Sequence, residues 1–233
     1  MKRNLLVLLF VGSFFLVRAT HQRAGEITYK WITELKYEFT IVTYTYTPSP
    51  ADRPELTINW GDGTYDVVPR TQKLNFPNNI SRNVYAGAVH IFPGNGTYTI
   101  TLEDPNRNYG VLNIPNSVNV PFFIQTQLVI DPFLGPNNSV ALLSPPIDNG
   151  CVNNIYLHNP VAYDAEGDSL SYKLVPCRGL FGAAIPGYLY PNQIVPGDES
   201  VFEINPVTGT ITWDKPLMQG EYNISFLIEE WRN

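Results

Sequence analysis

Charged residues are scarce in this sequence. Asp, Glu, Lys and Arg make up 15% of the 233 residues, and there are only two methionines. Helical bundles and coiled coils are rich in Ala, Glu, Lys and Leu, so this composition argues against both classes. Hydrophobic residues still account for 44% of the chain, which supplies enough apolar surface for a core and argues against a disordered protein.

Histidine and cysteine are also rare, with three and two residues, and this limits the catalytic chemistry that the chain can carry. Neither type occurs at a spacing that predicts a zinc site, and no Walker loop, metalloprotease motif or G-x-S-x-G motif is present. The letters of a GDSL hydrolase motif occur at Gly167–Leu170, but no histidine follows them to act as the base. The sequence therefore predicts a protein that is not an enzyme.

The longest apolar run lies at the N terminus. Two basic residues precede a run from Leu5 to Val17, and Ala19 is a small residue at a position that a signal peptidase reads. This pattern predicts a signal peptide over residues 1–19, because the run is shorter than the ~20 residues of a membrane span. Later apolar runs are interrupted by proline, asparagine or charge. We therefore expect a secreted or cell-surface protein with no transmembrane span.

Positive charge is in short supply. The chain has 15 basic and 21 acidic residues, and removal of the predicted signal peptide takes away Lys2, Arg3 and Arg18, which leaves 12 basic residues. An acidic protein lacks the basic field that nucleic-acid binding requires. We expect an extracellular protein or a polysaccharide as the partner, and no nucleic acid.

Apolar and polar residues alternate along several stretches, and glycine and proline occur in clusters between them. A period of two predicts half-buried antiparallel strands. Short strands with turn signals at intervals of roughly 8–12 residues predict an all-β protein of two tandem Ig-like antiparallel β-sandwich domains after the signal peptide. The clearest predicted strands are Lys36–Tyr46, Gly96–Asp104, Ser117–Ile130 and Gly220–Glu230.

A stretch rich in proline, glycine and asparagine at residues 131–138 predicts a linker. It divides the chain into a first domain over residues 20–130 and a second domain over residues 139–233. Each predicted domain has about 100 residues, which is a common size for a β-sandwich.

Two motifs in the first domain lie about thirty residues apart, at Trp60–Thr64 (WGDGT) and at His90–Thr101. This pair resembles the polycystic-kidney-disease (PKD) domain, and the resemblance implies a β-sandwich. We expect Asp62 to be a turn residue and His90 to have a structural role.

Three motifs in the second domain, at Asp164–Tyr172, Phe202–Trp213 and Gly220–Phe226, resemble the cadherin-like and Ig-like repeats of bacterial surface proteins. In such repeats one more strand follows the third motif, so the resemblance implies that the second domain lacks its last strand. The segment 19–29 is similar to the start of gliding-motility-associated surface proteins. That similarity implies a role in cell adhesion, with further repeats and a sorting domain downstream.

Alternating carboxylates at Asp164, Glu166 and Asp168 form the best candidate site. Calcium prefers such oxygen ligands, and Gly167 allows the loop to turn tightly. Three carboxylates do not fill six to eight ligand positions, however, and the same residues are also explained as a solvated turn between strands. The sequence leaves both interpretations open.

The two cysteines, Cys151 and Cys177, both lie in the predicted exported part. In an oxidising compartment they are expected to form a disulfide that closes a loop of roughly 25 residues and stabilises the fold by about 3 kcal/mol. The alternative interpretation is a pair of buried free thiols.

Four aromatic residues, Trp31, Tyr44, Tyr65 and Trp231, are candidates for a platform that stacks on sugars, or for packing between the domains. The leading functional hypothesis is a non-enzymatic adhesion or spacer module. A carbohydrate-binding accessory module, or part of a carbohydrate-active enzyme, is the alternative. A rod stabilised by calcium is the third hypothesis.

Overall fold

The alternation of apolar and polar residues is realised as strands throughout the described part of the chain. The computed structural model describes residues 22–105, 107–197 and 199–232, so the predicted signal peptide lies outside the described residues. In these ranges the fold is all-β, and its helical elements are 3-10 turns of three residues each. None of the described helices is long and apolar enough to cross a membrane.

The N-terminal half, residues 22–130, is a sandwich of two antiparallel four-stranded sheets. One sheet has the order β1-β2-β6-β5 and the other the order β4-β3-β7-β8. The strands are β1 (Gln22–Thr33), β2 (Lys36–Tyr46), β3 (Glu55–Asn59), β4 (Tyr65–Pro69), β5 (Gln72–Phe76), β6 (Ile80–Ile91), β7 (Gly96–Asp104) and β8 (Phe122–Ile130).

Side chains from both sheets fill one core. The residues that alternate inward on β2 and β7, among them Phe39, Ile41 and Ile100, are fully buried against Trp60 and Tyr85. The second half of β2 is buried on both faces, as its sequence predicts, because Val42 and Tyr44 on the outer face are also covered. Burial of large aliphatic and aromatic side chains is the main favourable term in the stability of this half.

The Trp60–Thr64 motif makes the turn between β3 and β4. The amide and the hydroxyl of Thr64 both donate to Asp62 Oδ1, at 2.9 and 2.6 Å, and Asp62 Oδ2 lies 2.8 Å from His90 Nε2. The His90 ring stacks on the Trp60 ring at 4.7 Å between centroids. Although burial opposes it, these hydrogen bonds lower the pKa of Asp62 to about 2. The contacts support the expected turn and structural roles of Asp62 and His90.

The C-terminal half, residues 139–232, contains three smaller antiparallel sheets, with the orders β10-β14-β13, β11-β9 and β12-β15. Its strands are β9 (Ala141–Leu142), β10 (Tyr156–His158), β11 (Ala162–Tyr163), β12 (Ser169–Val175), β13 (Phe202–Ile204), β14 (Ile211–Trp213) and β15 (Ser225–Trp231).

Two of the predicted strands are shorter than their sequence pattern. Residues 117–119 form a 3-10 turn, because Ser117 is tied to the preceding loop through its hydroxyl, which donates to the Asn108 carbonyl. Residues 220–224 precede β15 without joining it, since their backbone bonds elsewhere: the Asn223 amide donates to Asn113 Oδ1, and the Glu221 carbonyl accepts from Leu112.

Gly61 and Gly63 give a matched test of the Trp60–Thr64 turn. Both have positive φ, 80° and 92°, but a Cβ at Gly61 would lie 2.5 Å from the Thr99 carbonyl oxygen, whereas a Cβ at Gly63 would have nothing within 4 Å. We expect Gly63→Ala to cost about 1–2 kcal/mol from backbone strain and Gly61→Ala at least about 3 kcal/mol. Chemical denaturation measures both values, and equal costs would contradict the close approach of β7 to this turn.

Candidate functional site

A cleft of about 1020 Å³ lies between the two halves. Residues 23–29 of β1 and most of β8 form one side of it, and all seven residues of β15 form the other. Half-buried apolar side chains, including Ile124, Leu142, Phe226 and Ile228, line these walls together with polar ones. This cleft is the candidate functional site.

The cleft borders the edges of three sheets and not their faces. Consecutive residues of β1, β8 and β15 line it, although consecutive side chains of a strand point to opposite faces. The neighbouring strands β2 and β7 do not contribute, and of the described residues of β12 only Val175 does. Among the strands that the structure describes, β1, β8 and β15 are each the outermost of their sheet, so three sheet edges meet at the cleft.

Arg107 lies at one end of the cleft and is only 3% exposed. Its guanidinium donates to the Pro121 carbonyl at 3.0 Å, to the Arg178 carbonyl at 2.9 Å and to Asn223 Oδ1 at 2.9 Å. Burial lowers the pKa of Arg107 below its usual range. The three acceptors come from both halves, so this one side chain joins them.

A second group of contacts at the same end involves Glu221. Its carboxylate pairs with Arg23 at 2.7 Å and accepts a short hydrogen bond from Asn108 Nδ2. The backbone amide of Asn108 donates to the Gln22 carbonyl of β1 at 3.1 Å. The start of β1 is thereby fixed to the segment that precedes β15.

The other end of the cleft is held by residues 134–140. Ser139 donates its amide to the Tyr29 carbonyl at 3.0 Å, and its hydroxyl oxygen accepts from the Tyr29 amide at 2.8 Å. Arg232, just after β15, donates to the Leu134 and Pro136 carbonyls at 2.9 and 3.0 Å. The connecting segment is therefore attached to both halves.

The acidic segment Asp164–Asp168 belongs to this attachment. Asp168 pairs with Arg232 at 2.7 Å, Glu166 accepts from Asn138, and Asp164 Oδ1 accepts from the Asp168 amide at 2.8 Å. Within the described ranges, no three His, Cys, Asp or Glu side chains are arranged to hold a metal ion. Calcium binding by these three carboxylates stays a prediction, and their contacts favour the interpretation as a hydrogen-bonded turn.

Both cysteines line the cleft as free thiols, Cys151 exposed and Cys177 buried. Burial raises the pKa of Cys177 to about 11, against the opposing charge of Arg107. A thiol with a raised pKa is a weak nucleophile. The predicted disulfide stays a prediction for the oxidised protein.

The four candidate aromatic residues do not form one platform. Tyr44 is only 5% exposed, and Trp31 and Tyr65 lie on β1 and β4, which belong to opposite sheets. Trp231 is 57% exposed on β15, where its indole donates to Ser171 Oγ at 2.7 Å. Trp231 is therefore the exposed ring beside the cleft, and the other three rings are placed elsewhere.

Four buried polar side-chain atoms that border the cleft have no hydrogen-bond partner in the described part of the chain. Two are donors, Arg23 Nε and Arg107 Nε, and two are acceptors, Glu26 Oε2 and Asn108 Oδ1. Buried polar atoms are normally satisfied by protein or water, so these positions need an explanation. Burial also raises the pKa of Glu26 to about 7, although the charge of Arg82 opposes this shift.

The cleft and its arginine are not predictable from the sequence alone. Arg107 lies in a loop between two asparagines, where no period and no motif marks it. The only signal is that Arg107 is one of few basic residues that remain in the acidic chain after the predicted signal peptide. Comparisons of the chain with protein-family models, with curated proteins and with solved structures found no match.

The raised pKa of Glu26 predicts how stability depends on pH. From pH 4.5, the ordinary value for this group, to about 7, the folded chain keeps a proton that the unfolded chain has lost, so stability falls as pH rises. Glu26→Gln removes this dependence. We expect the free energy of unfolding of the variant, relative to the unmodified protein, to rise by roughly 2–3 kcal/mol over this range.

Chemical denaturation at a series of pH values measures the difference. Glu55→Gln, at an exposed position of β3, is the matched control. A stability difference between Glu26→Gln and the unmodified protein that does not change with pH would contradict the raised pKa.

Proposed function

We propose that this protein is a non-enzymatic module of an exported cell-surface protein, built from two tandem Ig-like β-sandwich domains, that serves in adhesion or as a spacer. The observation that carries the proposal is the buried Arg107, which joins the two halves. A spacer must transmit orientation from one domain to the next. A flexible linker would not do so.

The halves are attached at two separate places along β1. One is the Arg23–Glu221 pair near its start, and the other is the Tyr29–Ser139 pairing. Six residues of extended strand separate these places by roughly 20 Å. Two attachments at that distance oppose bending about either one, whereas a single attachment would leave a hinge.

The partner class follows from the charge and from the position of the cleft. The chain has a net charge of −6, which argues against nucleic acid and leaves an extracellular protein or a polysaccharide. Recognition in β-sandwich proteins lies in loops and at edges that a rigid scaffold positions. The cleft between the domains is the recognition surface in this proposal.

A carbohydrate-binding accessory module is the second candidate, and Trp231 favours it. The exposed indole lies on the same face of the β12–β15 ribbon as the ion pair between Lys173 and Glu229, whose atoms are 2.5 Å apart. An exposed aromatic ring beside groups that donate and accept hydrogen bonds is suited to stacking on a sugar.

The rigidity of the pair of domains is testable by pulsed electron–electron double resonance, which measures the distribution of distances between two spin labels. We place labels at Tyr65→Cys and Val207→Cys, exposed positions in the two halves, in a Cys151→Ser background. The expected result is one narrow distance distribution. Arg107→Ala should widen the distribution at least twofold, because three acceptors lose the donor that joins the halves.

Lys173→Ala is the control, since it breaks an exposed ion pair within the C-terminal half and should leave the width unchanged. Arg107→Lys is a second variant for the case that Arg107→Ala does not fold, and it should give an intermediate width. A broad distribution in the unmodified protein would contradict the spacer proposal. So would a width that neither Arg107 variant changes.

A further inference from the structure

We infer that the cleft is a docking slot for an extended strand of a different protein, which adds to the open edges of β15 and β1. This inference rests on the proposed function and makes it more specific, because it names the class of partner and the surface that binds it. Two features of the cleft indicate such a strand: the direction of the backbone groups at its edges and the apolar side chains of its walls.

Backbone groups of β1 point into the slot. In a strand, the N–H and C=O of one residue point to the same edge, and those of alternate residues share that edge. Tyr29 uses both groups to bond to Ser139 on the side away from β2. The N–H and C=O of Ile27 and Gly25 therefore point to the same open side, along the part of β1 that lines the cleft.

Across the cleft, β15 pairs with β12 on one edge and with no other strand of the described residues, and all seven of its residues line the cleft. An open strand edge is a row of N–H and C=O groups that pairs readily with another strand. Exposed edges are normally covered or short. Here the open edge of β15 faces the open edge of β1 across the cleft. The space between these two edges is suited to one inserted strand.

The walls set the side-chain pattern of the partner. Phe226 and Ile228 point to the same face of β15 and are half-buried, as is Ile124 on the opposite wall. An inserted strand would bury its inward residues against these apolar groups and leave its outward residues beside Glu229 and Trp231. The partner segment is therefore a strand of about seven residues, the length of β15, in which apolar and polar residues alternate.

The test uses hydrogen exchange on the full chain with a designed probe. The probe is a peptide of about seven residues in which threonine and valine alternate, added at millimolar concentration or tethered to the C terminus by a flexible glycine–serine linker. Tethering raises the effective concentration to the millimolar range without new contacts. We expect at least tenfold slower exchange at the amides of Gly25 and Ile27 and along β15 in the tethered form.

Two controls make the result specific. A probe with proline at its central valine lacks one amide and breaks strand pairing, so it should protect none of these amides. The outermost strands β4 and β5 do not border the cleft, so their exchange should not change. Equal protection of β4 or β5 would show non-specific edge pairing and overturn the inference.

Three further results would also overturn it. Tethered probe and proline control could protect β15 equally. Oligosaccharides of cellulose, xylan or chitin at the same concentration could protect the cleft where the peptide does not, which would assign it to sugars. Protection of β15 that rises with protein concentration, without probe, would assign the slot to a second copy. None of these results alters the inter-domain distance distribution, so failure of this inference is distinguishable from failure of the spacer proposal.

Discussion

The contact between the two halves centres on one buried guanidinium. Arg107 has no carboxylate within hydrogen-bond distance among its described partners, and its two terminal nitrogens donate to two carbonyls and one side-chain amide oxygen. Removing a charged group from water is costly unless it is hydrogen bonded, so the buried position is stable only when acceptors from both halves are in place. The guanidinium of Arg107 reaches its acceptors only when the two halves are in this arrangement. The cleft beside Arg107 follows from the same arrangement.

Sequence patterns are informative where the structure is local. The boundaries of β2 and β7 agree with the predicted strands, since each strand shows the alternation that a half-buried position requires. The turn at Asp62 is likewise local, because Gly61, Gly63 and the hydrogen bond from the Thr64 amide to Asp62 determine its geometry. The short forms of β8 and β15 are different, because the residues before them alternate correctly but bond to loops. The Ser117 hydroxyl donates to the Asn108 carbonyl, and the Asn223 amide donates to Asn113, 110 residues away.

The candidate site is less predictable than the fold for the same reason. The cleft is made by edges of strands that are about 100 and 200 residues apart in the chain, and edges carry no side-chain signature. The acidic segment at Asp164–Asp168 is visible in the sequence, whereas its partner Arg232 lies 64 residues away from Asp168 and determines what the segment does. The aromatic candidates differ in the same way, because exposure decides their role and only Trp231 borders the cleft.

Coupled unfolding of the two halves tests most directly whether the contacts around Arg107 join them. Trp60 is buried in the N-terminal half and Trp213 in the C-terminal half, so fluorine-labelled tryptophan gives a separate NMR signal for each. If the buried arginine couples the halves, both native signals should disappear at the same denaturant concentration, as in a two-state transition. Two midpoints separated in the unmodified protein would show that the halves unfold independently, and would contradict the account.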